Sequence, residues 1–222
     1  MKKEIINLCK KLHSKNFVAS TDGNVSVRIS ESKILCTPTS IPKEKLTTKD
    51  LVVIDLSGKI ISGTRKPSSE IKMHLEIYRQ RKDVNAVVHA HPVYSTAFAS
   101  SKIALDQPIL PEVILNLGKV PVCQYATPST TEVVKSIKPY VTKTNVLLLQ
   151  NHGAVTYGST LDEAYYLMEK LEHTAKIYFI LKNLGGARKL NKEELTKLYK
   201  INEKVYKISQ VNKISFNKGI KK

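Results

Sequence analysis

Three histidines in this 222-residue chain are spaced so that their rings could surround one metal ion. His89 and His91 lie one residue apart at the end of an apolar run, where a β-strand would direct both rings to the same face, about 6.5 to 7 Å apart. His152 follows a second apolar run and precedes Gly153, which would let the backbone turn sharply and leave the ring in a cleft. Imidazole nitrogens are common ligands of Zn²⁺, so this spacing predicts a zinc site.

Glu70 is the candidate fourth ligand. It follows Ser68 and Ser69, and the pattern after Pro67 predicts that it lies in the first turn of a helix. Its carboxylate would offset part of the charge of the ion, or act as a base once substrate displaces it. The alternative is a surface glutamate that only the helix dipole stabilises.

Short polar residues near these ligands predict an anion site. Ser68 and Ser69 would offer two hydroxyls and unpaired N–H groups at a helix N-terminus. Asn24 and the pair Thr39 and Ser40 lie in turns of the kind that bring amides and short side chains to a phosphate. Each residue alone is typical of an ordinary cap or turn. Their occurrence together with the metal ligands is what indicates a phosphate site.

The elements that must position these residues alternate between strands and helices. Apolar spacing predicts a helix over the first 17 residues, a hairpin over 51–61, and strands at 25–29, 34–36, 84–89 and 146–150. Thr160 and Glu163 have the spacing of a capping box, which predicts the start of a long helix that stops at Gly185 and Gly186. We therefore expect one domain over residues 1–185, followed by a basic helical tail, 186–222, that belongs to the same domain.

The other histidines have no partner at ligand spacing. They lie on predicted helices, and we expect them to be surface residues or satisfied core positions: His13, His74 and His173. Cys9, Cys36 and Cys123 are too scattered for a disulfide framework or a zinc motif, so we expect reduced, buried thiols.

Charge distribution and hydropathy argue against two classes of partner, nucleic acids and membranes. The net charge of +17 would suit a nucleic acid, but residues 182–222 hold 12 Lys or Arg against 3 Asp or Glu, and no basic patch interleaved with aromatics occurs elsewhere. No run approaches the roughly 18 apolar residues of a membrane span, and the first residues have no signal core. We therefore expect a cytoplasmic protein with neither a nucleic acid nor a membrane as its partner.

Six ordered motifs resemble those of the class II aldolase/adducin family, and most closely those of its small bacterial and archaeal members. The similarity covers about residues 1–185. The motifs are GNVSVR at 23–28, TPTS at 37–40, KPSSE at 66–70, VVHAHP at 87–92, YATP at 125–128 and QNHG at 150–153. This resemblance implies an α/β fold with three α/β/α layers around a central, mainly antiparallel sheet. It also implies a fourfold-symmetric homotetramer with each active site at a subunit boundary.

The resemblance also implies residue roles. It places the zinc ligands at Glu70, His89, His91 and His152, and makes Glu70 the catalytic acid/base. It places the phosphate-binding residues at Asn24, Thr39, Ser40, Ser68 and Ser69. The implied reaction cleaves a ketose 1-phosphate, similar to fuculose 1-phosphate, into dihydroxyacetone phosphate and a short aldehyde. In the reverse direction Glu70 would remove the C3 proton while bound zinc stabilises the developing negative charge.

Two positions depart from the family pattern. The aldolases generally have glycine where this chain has Ser40. They also take a tyrosine from the neighbouring subunit to protonate the aldehyde side, and its counterpart should lie near residues 110–112, where there is no tyrosine. Glu112, or Tyr206 as a match to a C-terminal tyrosine of the family, is the candidate second proton donor.

Other activities of the family remain alternatives. A sugar-phosphate 4-epimerase characteristically has aspartate at the position of Glu70, which weighs against that activity. Dehydratases and decarboxylases keep the zinc ligands, and an acid such as Glu112 is compatible with their chemistry. Adducin-like members are structural proteins without the metal site, and the intact ligand set argues against that class.

Overall fold

The structure is a computed structural model that describes residues 1–206, with side chains described to residue 205. In that range eight strands form a single sheet. They are β1 (Asn24–Arg28), β2 (Lys33–Cys36), β3 (Val52–Asp55), β4 (Ile60–Ser62), β5 (Ala86–Ala90), β6 (Val122–Cys123), β7 (Val146–Leu149) and β8 (Gly153–Gly158). Their order across the sheet is β4-β3-β2-β1-β5-β8-β7-β6. Every neighbouring pair is antiparallel except β6 and β7.

Helices cover both faces of this sheet. They are α1 (Lys2–Ser14), α2 (Ile71–Gln80), α3 (Val93–Ser100), α4 (Pro111–Asn116), α5 (Thr131–Ile137), α6 (Leu161–Asn183) and α7 (Lys192–Ile201). Apolar side chains of α1, α3 and α6 form one core with the sheet, and those of α2 and α5 form a second core on its other face. Because side chains alternate along a strand, Leu35 joins the first core while Ile34 and Cys36 join the second. The expected three-layer α/β/α fold with a mainly antiparallel sheet is confirmed.

One helix starts later than the sequence predicts. Helix α2 begins at Ile71 with Glu70 as its N-cap, so Ser68 and Ser69 precede the helix and Glu70 is not in its first turn. The reason is a backbone pairing with the segment at 37–39. The N–H of Ser68 donates to the carbonyl of Thr37 at 3.2 Å, and the N–H of Thr39 donates to the carbonyl of Lys66 at 3.1 Å. This pairing keeps residues 66–68 extended.

The sequence pattern did not predict strand β8. Of the elements that it missed, β8 matters most for the site. Strand β7 ends at Leu149, and from Gly153 the chain returns as a fully buried strand antiparallel to both β7 and β5. The reversal has Asn151 in a left-handed conformation, with φ of 54°, which asparagine tolerates better than most residues. His152 therefore lies in the tight turn between two central strands.

The three cysteines are free and buried, as expected. Among residues 1–206, no helix is both long enough and apolar enough to span a bilayer. Within the described part of the basic C-terminal segment, residues 192–206 are helical, and Leu195 of α7 packs against Ile114 of α4. The rest of that segment lies outside the described residues.

Candidate metal centre

The three histidines meet where β5 ends beside the β7–β8 turn. His89 pairs with Val155 and Ala90 with Ala154 across the β5–β8 ladder, so the turn before β8 lies next to the end of β5. The Nδ1–H of His89 donates to the carbonyl of Ala154 at 2.8 Å. This bond fixes the tautomer and leaves Nε2 of His89 free to face the other rings.

The ring geometry fits one divalent ion. Ring centroids are 4.9 Å apart for His89 and His91, 4.7 Å for His89 and His152, and 4.9 Å for His91 and His152. One ligand nitrogen from each ring can be chosen so that all three lie within 4.8 Å of one another. Nitrogens around a tetrahedral zinc lie about 3.3 Å apart when each Zn–N bond is near 2.05 Å. His89 Nε2 and His91 Nε2, at 3.1 Å, are already close to that spacing.

Glu70 closes the cluster from the start of α2. One carboxylate oxygen, Oε2, lies 3.1 Å from His89 Nε2 and accepts a hydrogen bond from Asn24 Nδ2 at 3.0 Å. The other oxygen, Oε1, lies 3.2 Å from His152 Nε2 but is buried without a hydrogen-bond partner. A buried carboxylate oxygen without a partner, facing several imidazoles, is what a metal site presents before the ion binds. The four residues therefore fit a divalent cation.

The protonation states of the histidines affect metal binding, because a ring nitrogen binds an ion only when it carries no proton. Burial, reinforced by neighbouring His89, lowers the pKa of His91 to about 3 and that of His152 to about 4. Burial disfavours the charged forms of His89 and Glu70 as well. Their mutual attraction outweighs it and raises the pKa of His89 while it holds the pKa of Glu70 well below its usual range. His91 and His152 are thus neutral near pH 7, and the raised pKa of His89 makes metal binding weaken as the pH falls.

A polar seam between β1 and α2 fixes the position of Glu70. Every second residue of β1 meets every fourth residue of the α2 segment: Asn24 contacts Glu70, Ser26 contacts His74 and Tyr78, and Arg28 contacts the carbonyl of Tyr78. Ser26 Oγ lies 2.7 Å from His74 Nδ1 and 2.8 Å from the hydroxyl of Tyr78. His74 is fully buried, yet its Nε2 has no hydrogen-bond partner, so it is a core position that is satisfied only on one side.

A cavity of about 240 Å³ opens beside the histidines and gathers the expected anion-binding residues. Its wall includes Glu70, His91 and His152 from the metal cluster. The same wall contains all five candidate phosphate ligands, namely Asn24, Thr39, Ser40, Ser68 and Ser69. The cavity thus offers hydroxyl groups directly next to the candidate metal ligands. Asn24 has a second task here, because its amide holds the carboxylate of Glu70.

Sequence reasoning missed further residues of this cavity. Asp22 lines it, and a carboxylate oxygen of Asp22 lies 3.5 Å from His91 Nδ1. Pro128, the last residue of the YATP motif, and Ser129, which follows it, line the cavity too, and the motif was the available signal. Glu112 is exposed at the start of α4 and is not part of the cavity wall. The side chain of Tyr206 lies outside the described residues.

A larger cavity, about 940 Å³, opens at the other end of β1. Its wall includes Glu4 and Lys11 of α1, Arg28 of β1 and Tyr165 of α6. Among the described residues, the converging group of metal-ligating side chains is the histidine cluster beside the smaller cavity. The chemistry therefore selects the smaller cavity as the candidate site.

Comparisons with known proteins agree with this fold. The family model for the Class II Aldolase and Adducin N-terminal domain matches residues 3–179. A protein of Methanococcus vannielii named L-fuculose phosphate aldolase is 41% identical over 181 residues, which cover 81% of this chain and 96% of the relative. A solved structure of an L-fuculose 1-phosphate aldolase has a TM-score of 0.83 and 33% identity, and the similarity covers 91% of this chain and 95% of that one.

A relative with a different named activity is nearly as similar. The 3-oxo-tetronate 4-phosphate decarboxylase of Pectobacterium atrosepticum is 35% identical over 192 residues, which cover 84% of this chain and 85% of the relative. The chain belongs to the class II aldolase and adducin family. Within that family it is an enzyme of the aldolase type.

Proposed function

We propose that this protein is a zinc-dependent aldolase that cleaves a ketose 1-phosphate, similar to fuculose 1-phosphate, into dihydroxyacetone phosphate and a short aldehyde. One observation carries the proposal. The carboxylate of Glu70 lies between His89 and His152 at the wall of a cavity lined with hydroxyl groups. The two relatives named as fuculose phosphate aldolases support the choice of reaction.

The residues of the chain divide the task between them. The hydroxyls along the cavity wall, at Thr39, Ser40, Ser68 and Ser69, would donate to the phosphate. Glu70, ionised and held by Asn24, would accept the proton from C3 when the carbon–carbon bond forms and return it to C3 after cleavage. A divalent ion held by the three histidines would supply the Lewis acid that stabilises the negative charge on the substrate oxygens.

The exposed position of Glu112, a candidate second proton donor, favours an oligomeric enzyme. Glu112 is exposed on α4 and is absent from the cavity wall of its own chain. A neighbouring subunit can bring such a residue to the site, so we extend the proposal to a homotetramer in which Glu112 comes from the adjacent chain, with Tyr206 as the alternative proton donor. Light scattering of the purified protein tests the tetramer directly.

We also propose the cellular setting. The buried, unpaired thiols are compatible with the reducing cytoplasm. The small polar cavity suits a phosphorylated small molecule, with neither a nucleic acid nor a membrane as partner. Cell fractionation, together with a nuclease-treated purification that leaves the absorbance spectrum unchanged, tests these two statements.

A decarboxylase is the second candidate. The relative named as a 3-oxo-tetronate 4-phosphate decarboxylase favours it, because its identity to this chain approaches that of the aldolases. The metal cluster and the anion cavity would serve either reaction. Dehydration or 4-epimerisation of a sugar phosphate is a further alternative reaction that would use the same metal ligands.

The test incubates zinc-loaded protein with a panel of ketose 1-phosphates and 3-oxo-tetronate 4-phosphates. We expect the ketose 1-phosphates to release dihydroxyacetone phosphate together with an aldehyde, in a reaction that chelation abolishes and zinc restores. His89→Ala should lose the bound metal and lower turnover on the order of 10³-fold, while His173→Ala, at an exposed position of α6, should do neither. Release of CO₂ together with dihydroxyacetone phosphate from the 3-oxo-tetronate 4-phosphates, with no ketose 1-phosphate cleaved to an aldehyde, would replace the aldolase by the decarboxylase. A His89→Ala variant as active as wild type would refute both.

A further inference from the structure

Lys43 is a buried lysine beneath the candidate site. It lies in a 3₁₀ turn, Lys43–Lys45, and only 1% of its surface is exposed, although lysine is among the residues least often buried. Its Nζ donates to the carbonyl of Thr21 at 2.8 Å and to the carbonyl of Ile41 at 3.1 Å. Lys45, two residues further on, is exposed.

The two carbonyls belong to the two loops that form one side of the anion cavity. Thr21 leads through Asp22 and Gly23 into β1, and all three residues line the cavity. Ile41 directly follows Thr39 and Ser40, which line it as well. One ammonium group therefore ties both loops together from beneath.

These loops need such a tie because their backbones are strained. Ser20 and Ser40 have φ of 51° and 59°, in the left-handed region that non-glycine residues rarely adopt. Strained residues persist only where the surrounding structure over-determines them. The two bonds from Lys43 are contacts of that kind, since they fix the carbonyl next to each strained residue.

Lys43 also supplies charge that the cavity wall lacks. Among the described residues that line the cavity there is no lysine or arginine, whereas Asp22 adds a negative charge. Burial lowers the pKa of Lys43, while the carboxylates of Asp22 and Glu44 favour its protonated form. Lys43 also acts electrostatically on His91, which itself lines the cavity.

We propose that Lys43 is a positioning residue that sets the affinity of the cavity for a phosphorylated ligand, by fixing the Thr21–Gly23 and Thr39–Ile41 loops and by placing one positive charge beneath them. The inference rests on the proposed function, in which the cavity receives a sugar phosphate. It assigns to Lys43 no contact with the ligand and no part in metal binding.

The test measures binding of dihydroxyacetone phosphate and of uncharged dihydroxyacetone to the zinc-loaded protein by calorimetry. Lys43→Met keeps the length of the side chain but removes its charge and both bonds. We expect it to bind dihydroxyacetone phosphate about tenfold more weakly, while binding of dihydroxyacetone and the zinc content stay unchanged. Lys45→Met removes an exposed charge from the same turn and should change none of the three.

The outcomes separate the two proposals. A wild-type protein that binds zinc but no dihydroxyacetone phosphate overturns the proposed function and this inference together. A wild-type protein that binds it, with Lys43→Met binding equally well, overturns only the role of Lys43. If Lys43→Met loses equal affinity for dihydroxyacetone phosphate and dihydroxyacetone, Lys43 is merely structural, and its proposed role in phosphate affinity is overturned as well. If Lys43→Met does not fold, Lys43→Gln, which keeps a donor but not the charge, should show the same phosphate-dependent loss of at least about threefold.

Discussion

The two halves of the candidate site are built from different parts of the fold. The metal half stands on central strands: His89 and His91 at the end of β5, and His152 in the turn to β8. Apart from Asn24, which begins β1, the anion half stands on loops, with Ser40 in a left-handed conformation and Thr39 half-buried. The metal half is therefore anchored at the ends of paired central strands, with His89 in the ladder itself, whereas the anion half depends on local ties such as Lys43.

This difference follows the needs of the chemistry. An ion bound at about 2 Å tolerates ligand errors of only a few tenths of an ångström, which paired strands can guarantee. A phosphate accepts hydrogen bonds from many directions, so loops can serve it and can vary between relatives. A disturbance of the strands should therefore abolish metal binding, while one of the loops should only adjust ligand affinity.

The largest predicted effect comes from Gly153→Ala, at the start of β8. A Cβ at this position would lie 2.5 Å from Cδ2 of the His91 ring and 2.6 Å from the carbonyl oxygen of Ala90. Because Ala90 lies in a central strand, the ring of His91 has to move. We expect zinc affinity to fall about 10- to 100-fold, measured by competition with a chelator.

Gly185→Ala is the matched control for this prediction. Gly185, unlike Gly153, has a left-handed backbone, with φ of 90°, and no atom lies within 4 Å of an added Cβ. That variant should lose about 1 kcal/mol of stability and keep its zinc affinity. If Gly153→Ala binds zinc as tightly as wild type, the metal half is not the rigid half.

The second effect concerns the seam between β1 and α2, and it depends on pH. Burial lowers the pKa of His74 to about 3 from its usual 6.5. Between these values the unfolded chain binds a proton that the folded chain does not, so stability is full above pH 6.5 and falls as the pH drops. The loss contributed by His74 reaches at most about 1.4 kcal/mol per pH unit.

His74→Phe should remove this contribution. The measurement is urea unfolding of metal-free protein at pH 8, 6.5 and 5. Between pH 6.5 and 5 the unfolding free energy of the variant should fall less than that of wild type, by up to about 2 kcal/mol. At pH 8 the variant should be about 1 kcal/mol less stable, because the bond to Ser26 is gone. The exposed His173→Phe should follow wild type. Identical pH slopes for His74→Phe and wild type would contradict a buried, neutral His74.

The sequence predicted the metal half better than the anion half. Alternation on β5 and the spacing of His89 and His91 were enough to place two rings on one face, and the motif around His152 supplied the third. Glu70 was correctly placed near the start of α2, but its role as N-cap depends on the backbone pairing of 66–68 with 37–39. Long-range pairing of this kind leaves no local periodicity to detect.

The sequence predicted still fewer of the contacts in the loops and in the seam between β1 and α2. The burial of Lys43 could not be foreseen, since a lysine between proline and glutamate in a polar turn is ordinarily solvated. The partnership of Ser26 with His74 joins positions 48 residues apart, and neither residue stands out within its own element. Strand β8 was missed because its six residues are all buried and show no alternation.

The smallest effect tests the anion half directly through Ser40→Gly. Ser40 has φ of 59°, which costs a non-glycine residue about 1 kcal/mol, and the substitution should recover at most that amount of stability. The variant also loses a hydroxyl at the cavity wall, so binding of dihydroxyacetone phosphate should weaken about two- to fivefold while zinc affinity stays constant. Lys102→Gly is the control, because Lys102 is exposed, is left-handed with φ of 55° and is absent from the cavity wall. It should gain similar stability without a change in ligand binding. A loss of zinc affinity in Ser40→Gly as large as that in Gly153→Ala would show that the two halves are coupled, because a loop substitution would then disturb ligands that the strands hold.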